Sequence, residues 1–322
     1  MWSTEPSVTY SVISANNNSI KLVKDDNLRA NLSLLTDGNY NPIIGTADYY
    51  IVASCNRWML VTCHENPSRP YGLLWNPAIY ERESFAFSSG PVYKELPDQR
   101  FRDVLLWAFG VGFDSASGDY KVVRSCVYDD LTECVFAEVM SIRTGLWRTI
   151  TYPHDPSIFL FSGSSIYING FYYWMAYGPG VDGVVVSFDF AKEEFGRALI
   201  PLPKRWSVAI ADCHGSLAAV SYDFERVSGE IEKPFGFKIW IWYAIGLSWS
   251  CLSTVDIPAV DVAVSAPLVH ALGLYKNEIL LAKNSESELL LYNLPSRMFL
   301  DLGIHHDKGP GSMTIIPFVG KI

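Results

Sequence analysis

Short runs of alternating apolar and polar residues recur along the chain, bounded by Gly, Asp, Asn and Ser clusters. No stretch sustains an apolar period near 3.6. The alternation is clearest from Phe109 to Arg148. There, Gly112-Phe113-Asp114 opens a turn and Ser115 to Asp119 closes it. Tyr120, Val122 and Arg124 fall on one side of the next strand, with Lys121 and Val123 on the other. Asp129-Asp130-Leu131-Thr132 turns the chain again. Val135, Ala137 and Val139 then alternate with Phe136, Glu138 and Met140. Thr144-Gly145 forms a further turn, and Trp147 lies just beyond it as an anchor.

The same reading predicts strands at Tyr49 to Ala53, Trp58 to Cys63 and Leu73 to Trp75, with Ser84 to Pro97 as a connecting segment. Asn169-Gly170 sits between two apolar runs. Both residues tolerate positive φ, so this dipeptide predicts a tight hairpin. Further strands are expected at Val184 to Phe190, Ser207 to Ile210, Leu217 to Tyr222, Glu278 to Ala282, Leu289 to Tyr292 and Met313 to Phe318. Phe237 to Tyr243 is apolar on both faces except at Lys238, which predicts a fully buried strand. Residues 1 to 50 are polar and poorly readable, with a short strand near Ser19 to Val23. They form either a segment ahead of one β domain spanning residues 51 to 322 or the first strands of that domain.

Cycles of about four strands recur every 40–50 residues or so, each ending near an aromatic anchor (Trp75, Trp147, Trp174, Trp240 or Trp249, Tyr292). The expected fold is therefore all-β. It is a propeller-like, kelch-like array of short antiparallel strands with room for about six blades, and the alternative is a large β-sandwich.

Composition narrows the function classes. Of 322 residues, 49% are hydrophobic and 14% aromatic, which supports a large core. Net charge is −9 and no Lys/Arg-rich run occurs, which argues against a nucleic-acid partner. Residues 1 to 24 lack a signal-peptide pattern. The longest apolar stretch, Ile239 to Trp249, is too short to span a bilayer, so the chain reads as cytoplasmic or nuclear, without a membrane partner. Six cysteines include no Cys-x-x-Cys pair. Cys126 and Cys134 flank the Asp129-Asp130 turn and could face each other across a hairpin, where a reduced pair of small hydrophobes is expected and a disulfide is the alternative.

No constellation carries chemistry. Cys63-His64 and Cys213-His214 lack further ligands at zinc spacing and read as a buried Cys beside a satisfied or surface His. Gly110-Val111-Gly112 lacks the third glycine of a dinucleotide loop, since position 115 is Ser115, and a strand follows it. Asp129-Asp130 and Glu193-Glu194 read as solvated turn carboxylates, and His305-His306 as an exposed pair. Catalytic residues, metal and cofactors are expected to be absent. Aromatics in or beside loops carry the binding hypothesis: Tyr71, Tyr93, Phe101, Tyr128, Phe159, Phe161 and Tyr177, with Asp129 and Asp130 in the loop after Tyr128.

A series of short motifs, in order, resembles the F-box-associated domain of plant F-box proteins. They are Ser54-Cys55-Asn56; Leu74-Trp75-Asn76-Pro77-Ala78; Gly112-Phe113-Asp114 with Asp119 to Arg124; Glu138 to Ile142 with Trp147-Arg148; Ile168-Asn169-Gly170 with Tyr173-Trp174; Ser187-Phe188-Asp189 with Glu194-Phe195 and Pro201-Leu202-Pro203; Lys238-Ile239-Trp240 with Ser248-Trp249; and Leu291 to Leu294. They run from about Ile51 to Pro317. Arg57-Trp58 departs from the family's usual Gly then Leu, which questions the turn there. The end of the chain, Gly303-Ile304-His305 and Ser312 to Pro317, resembles the S-locus F-box subgroup.

The resemblance implies a non-enzymatic module that selects a target protein for ubiquitin transfer. For the S-locus subgroup that target is a pistil ribonuclease in self-incompatibility. Family members carry an F-box that recruits a Skp adaptor and cullin. Residues 1 to 50 show no amphipathic helical run of that kind, so Skp and cullin are expected only if an F-box lies upstream. The alternatives are a decoy without ligase recruitment and, from another class, an enzyme with its site in a propeller channel.

Overall fold

The computed structural model describes residues 11–16, 19–24, 49–63, 71–76, 81–86, 104–128, 135–152, 160–178, 181–199, 207–224, 234–243, 247–256, 268–275, 279–284 and 289–301. These residues form strands and turns, with no helix among them. β1 (Ser11–Asn16) and β2 (Ser19–Lys24) make a separate hairpin.

Five four-stranded antiparallel meanders follow. The first is β3 (Tyr49–Cys55), β4 (Trp58–Cys63), β5 (Tyr71–Asn76) and β6 (Glu81–Ala86). The second is β7 (Val104–Asp114), β8 (Asp119–Tyr128), β9 (Val135–Ser141) and β10 (Leu146–Ile150). The third is β11 (Leu160–Ile168), β12 (Phe171–Gly178), β13 (Val181–Asp189) and β14 (Glu194–Leu199). The fourth is β15 (Ser207–Cys213), β16 (Ser216–Phe224), β17 (Pro234–Tyr243) and β18 (Ser248–Asp256). The fifth is β19 (Leu268–Tyr275), β20 (Ile279–Asn284), β21 (Leu289–Asn293) and β22 (Met298–Asp301).

The first strands of successive sheets lie against one another, β3 on β7, β7 on β11, β11 on β15 and β15 on β19. The serial blade arrangement therefore holds, rather than the sandwich. The core is serial too. One cluster joins sheets one to three and includes Leu60, Val111, Val122, Tyr172, Trp174 and Phe188. A second joins sheets three and four through Ile166, Met175, Val185 and Ile210. A third packs Ile241 and Ala218 of sheet four against Leu274 of sheet five.

Two expectations change. Phe237 to Tyr243 is not buried on both faces. Phe237, Ile239 and Ile241 are buried, Lys238, Trp240 and Trp242 are half-buried, and Tyr243 is exposed. One face supports the core and the other meets the next layer of side chains and solvent. Ser84 to Pro97 is not wholly connection, because β6 begins at Glu81 and runs through Ala86. Met313 to Phe318 and His305-His306 lie outside the described residues.

The first-to-second-strand connections of sheets one, three and four are two-residue turns. Asn56, Asn169 and His214 take φ of 54°, 48° and 53°. Asn56-Arg57 thus makes the turn despite the departure at Arg57, with Cys55 opposite Trp58. Adjacent turns are tied together, since Asn169 Nδ2 donates to Gly215 O at 2.9 Å.

Candidate functional site

The most legible stretch of the sequence builds the junction between sheets two and three. A Cβ on Gly112 would fall 2.0 Å from the Phe190 ring, and one on Gly110 would fall 2.7 Å from the Trp174 ring. Gly110 and Gly112 therefore bare the strand surface on which three aromatic rings lie, Trp174 and Tyr172 at Gly110 and Phe190 at Gly112. Trp174 Nε1 also donates to Phe109 O at 2.8 Å, joining β12 to β7 inside the core. The close approach needs glycine, and a phosphate has no place in it.

Lys121 fastens the same junction. Its Nζ donates to Asp114 Oδ2 at 2.8 Å within its own sheet. It also reaches Glu193 Oε1 at 2.7 Å and Phe190 O at 3.2 Å in the next sheet. Arg148 contacts the other Glu193 oxygen. Glu193 is thus a bridging residue with its side chain largely covered, not the solvated turn carboxylate expected from the sequence, while Glu194 is exposed. Lys121 lies 72 residues away in sequence, so no local pattern discloses the pair. Burial alone would raise the Asp114 carboxyl. Hydrogen bonds from Lys121, Ser117 and the Ala116 and Ser117 amides outweigh burial and hold it well below the usual carboxylate range.

A second buried ion pair lies deeper in sheet two. Arg124 on β8 and Glu138 on β9 are register partners and meet side chain to side chain, both almost fully covered. The Arg124 guanidinium also lies 5.2 Å from the centre of the Trp147 ring. Near the ends of the inner strands, Tyr167 Oη donates to Phe113 O at 3.3 Å. Cys55 packs there as well, and burial pushes its thiol up to about 12. Sheets one, two and three meet at this point.

Of these groups, only Arg148 and Glu193 border an open groove. Among the described residues, no three His, Cys, Asp or Glu side chains come together as a metal site. Cys213 is buried beside an exposed His214, the arrangement read from the sequence. Cys126 is opposite Phe136 in the strand register, and Cys134 lies outside the described residues, as does His64.

The proposed binding aromatics divide between strand ends and undescribed positions. Tyr71 starts β5, Tyr128 ends β8, Phe161 is the second residue of β11 and Tyr177 the penultimate residue of β12. Each is at the end of its own sheet where the first strand begins. Tyr93, Phe101, Asp129, Asp130 and Phe159 lie outside the described residues. The opposite, turn-bearing ends carry exposed apolar side chains that sequence reading missed: Leu146, Phe171, Tyr243, Leu247 and Met298. All five sit at or beside two- to four-residue turns, a positional signal available in the sequence. A groove of about 610 Å³ opens beside one such turn. Arg148 to Thr151 form one wall, and Lys192 to Phe195 the other.

The family model described as the F-box associated beta propeller domain matches residues 8–293. The chain belongs to that family. Its match begins well ahead of Ile51 and takes in the β1–β2 hairpin. An F-box/kelch-repeat protein of Arabidopsis thaliana is 25% identical over 68% of this chain and 55% of its own length. An F-box protein of the same plant is 28% identical over 41% of this chain and 28% of its own. The chain thus spans about half, or less, of the length of these curated relatives. Among solved structures, the β-propeller domain of the Trilobed protease from Pyrococcus furiosus is similar over 84% of this chain and 76% of that one, with TM-score 0.44 and 13% identity. In this chain Gly112, Asp114 and Lys121 build the joint between sheets two and three, and Arg124 ties neighbouring strands within sheet two.

Proposed function

We propose that this chain is a non-enzymatic recognition domain that holds a target protein for ubiquitin transfer by an F-box-type ligase. The observation that carries this reading is the F-box associated propeller match over residues 8–293. The way the described charges are used agrees with it. Lys121, Asp114, Glu193, Arg124 and Glu138 are spent on sheet-to-sheet and strand-to-strand bridges, leaving loops and exposed turn residues to meet a partner. Transfer chemistry belongs to partner enzymes. Skp adaptor and cullin join through an F-box, and the resemblance to the S-locus subgroup nominates a pistil ribonuclease as target.

Affinity purification of the full chain from plant tissue tests this. Recovery of a defined target together with Skp and cullin is the expected result. A target recovered without them would make the chain a binding module outside the ligase. A purified pistil ribonuclease that does not bind the chain would remove the narrower target assignment. Turnover of a small-molecule substrate by the chain alone would overturn the non-enzymatic reading.

A further inference from the structure

We infer that the outer edge of β18 is a strand-addition site, taken by an extended, uncharged segment of a protein partner. The inference deepens the recognition role proposed above and rests on it. β6, β10, β14, β18 and β22 are the outermost strands of their sheets, and each leaves one row of backbone groups without a strand partner among the described residues. Such edges recruit foreign strands unless charges, proline or short length block them. Four of the five are blocked. β6 carries Glu81, Arg82 and Glu83, β10 carries Arg148, and β14 carries Glu194 and Arg197. β22 has only four residues. β18 is different. It runs for nine residues and has no charge or proline from Ser248 through Val255.

Its side chains suit a partner strand. The register with β17 shifts between Cys251, opposite Trp240, and Ser253, opposite Ile239, which leaves Leu252 as the extra residue of a bulge. Leu252 is 59% exposed and Cys251 beside it is also exposed. Ser250 and Thr254 flank them as exposed hydroxyls, and Tyr243 and Leu247 extend the apolar surface at the turn before β18. Ahead of Asp256, which closes the strand, this edge offers backbone hydrogen bonds, hydroxyls and one aliphatic knob, and no charge from 248 to 255. A charged strand would find no opposite charge beside residues 248 to 255, whereas an aliphatic side chain would cover part of Leu252, so the occupant is a segment of Ser, Thr and aliphatic residues. A foreign strand is favoured over a second copy of β18. Antiparallel self-pairing centred on the strand would set bulge against bulge, and each copy carries a net charge of −9.

The test is selection of a displayed random decapeptide library on the full chain. Enriched peptides should lack charges and alternate hydroxyl with aliphatic residues. Their binding should add hydrogen-exchange protection at residues 248 to 256. Affinity should fall at least tenfold in Ser250→Lys/Leu252→Lys, two exposed positions, and stay unchanged in Ser115→Lys, an exposed turn position elsewhere. Absence of enriched peptides, protection in another segment, or unchanged affinity in the double lysine variant would overturn the inference. So would a dimer in sedimentation that the double variant dissolves, since the occupant would then be a second copy. Retained binding of a plant target by the double variant would refute the edge while leaving the recognition role intact.

Discussion

Lys121 of the second sheet and Glu193 of the third are joined, Nζ to Oε1, at 2.7 Å, and both side chains are largely shielded from solvent. The lysine also holds Asp114 and the Phe190 carbonyl, so one ammonium group satisfies two carboxylates and a backbone acceptor. Lys121→Met would leave Asp114 without its cation and Glu193 with only the exposed Arg148. A loss on the order of 3 kcal/mol in unfolding free energy is expected, read by urea denaturation at neutral pH. Glu193→Gln should cost less, because Asp114 keeps the lysine.

Asp114 makes the same joint sensitive to acid. Its folded carboxyl is held below the unfolded value of about 3.9. A carboxyl depressed by folding contributes stability above the unfolded value and loses it as pH falls toward the folded one. Stability should therefore decline below about pH 4, and this part of the decline should be absent in Asp114→Asn. Parallel denaturation curves for the two proteins between pH 5 and pH 2.5 would decide it; equal slopes would remove Asp114 from the acid response.

Gly112 and Phe190 give the steric counterpart. The Phe190 ring is fully buried and occupies the space a methyl group on Gly112 would need. Gly112→Ala should cost about 3 kcal/mol, at the upper end for overpacking. Combined with Phe190→Leu, it should cost less than the sum of the two single changes, because the smaller side chain vacates part of the clash. Additive losses in the thermal unfolding of the four proteins would show that the ring is not what Gly112 accommodates.

The sheets were legible where strands bury one face, and the joints between them were not. Trp58–Cys63 is a strand from end to end, and Asn169-Gly170 makes its turn. Outer strands were harder to see. β14 lies outside the strands expected from the alternation, because Glu194, Gly196 and Arg197 are exposed and no apolar-polar pattern marks them. β19 mixes His, Ala and Gly with Leu and was not seen as a strand. Sheet-to-sheet contacts such as Lys121 to Glu193 have no local signature at all. A repeat was present but disguised. In four sheets the turn before the outer strand holds a residue with positive φ two positions before an aromatic: Gly145 before Trp147, Glu193 before Phe195, Leu247 before Trp249 and Arg297 before Phe299. These positions recur about every fifty residues. Only the first is glycine, so the usual turn signal appears once.

That repeat predicts opposite outcomes for removing and introducing glycine. Gly145 has φ of 66° and open space around its Cα, so Gly145→Ala should lose about 1 kcal/mol through backbone strain alone. Arg297 has φ of 56° and is exposed, so Arg297→Gly should gain a few tenths to about 1 kcal/mol by relieving the same strain. Glu193→Gly combines strain relief with loss of the Lys121 bridge and should be destabilising on balance. Melting temperatures that move the same way for Gly145→Ala and Arg297→Gly would show that the turns are not equivalent.

Arg124 and Glu138 pose the final question, whether a buried ion pair on neighbouring strands adds stability or only tolerates its surroundings. Both side chains are nearly inaccessible, and Trp147 covers the guanidinium. Desolvating two charges offsets much of their attraction, so the pair as a whole contributes little compared with apolar residues of the same size. Removing one partner differs, since it strands a charge in the core. Glu138→Leu alone should cost about 3–5 kcal/mol, and so should Arg124→Met alone. The double variant Arg124→Met/Glu138→Leu should recover most of that loss, and the two side chains would pack under Trp147. A double-mutant cycle in urea measures the coupling directly. Additive losses would mean that Arg124 and Glu138 do not act as a pair and that other partners satisfy each charge.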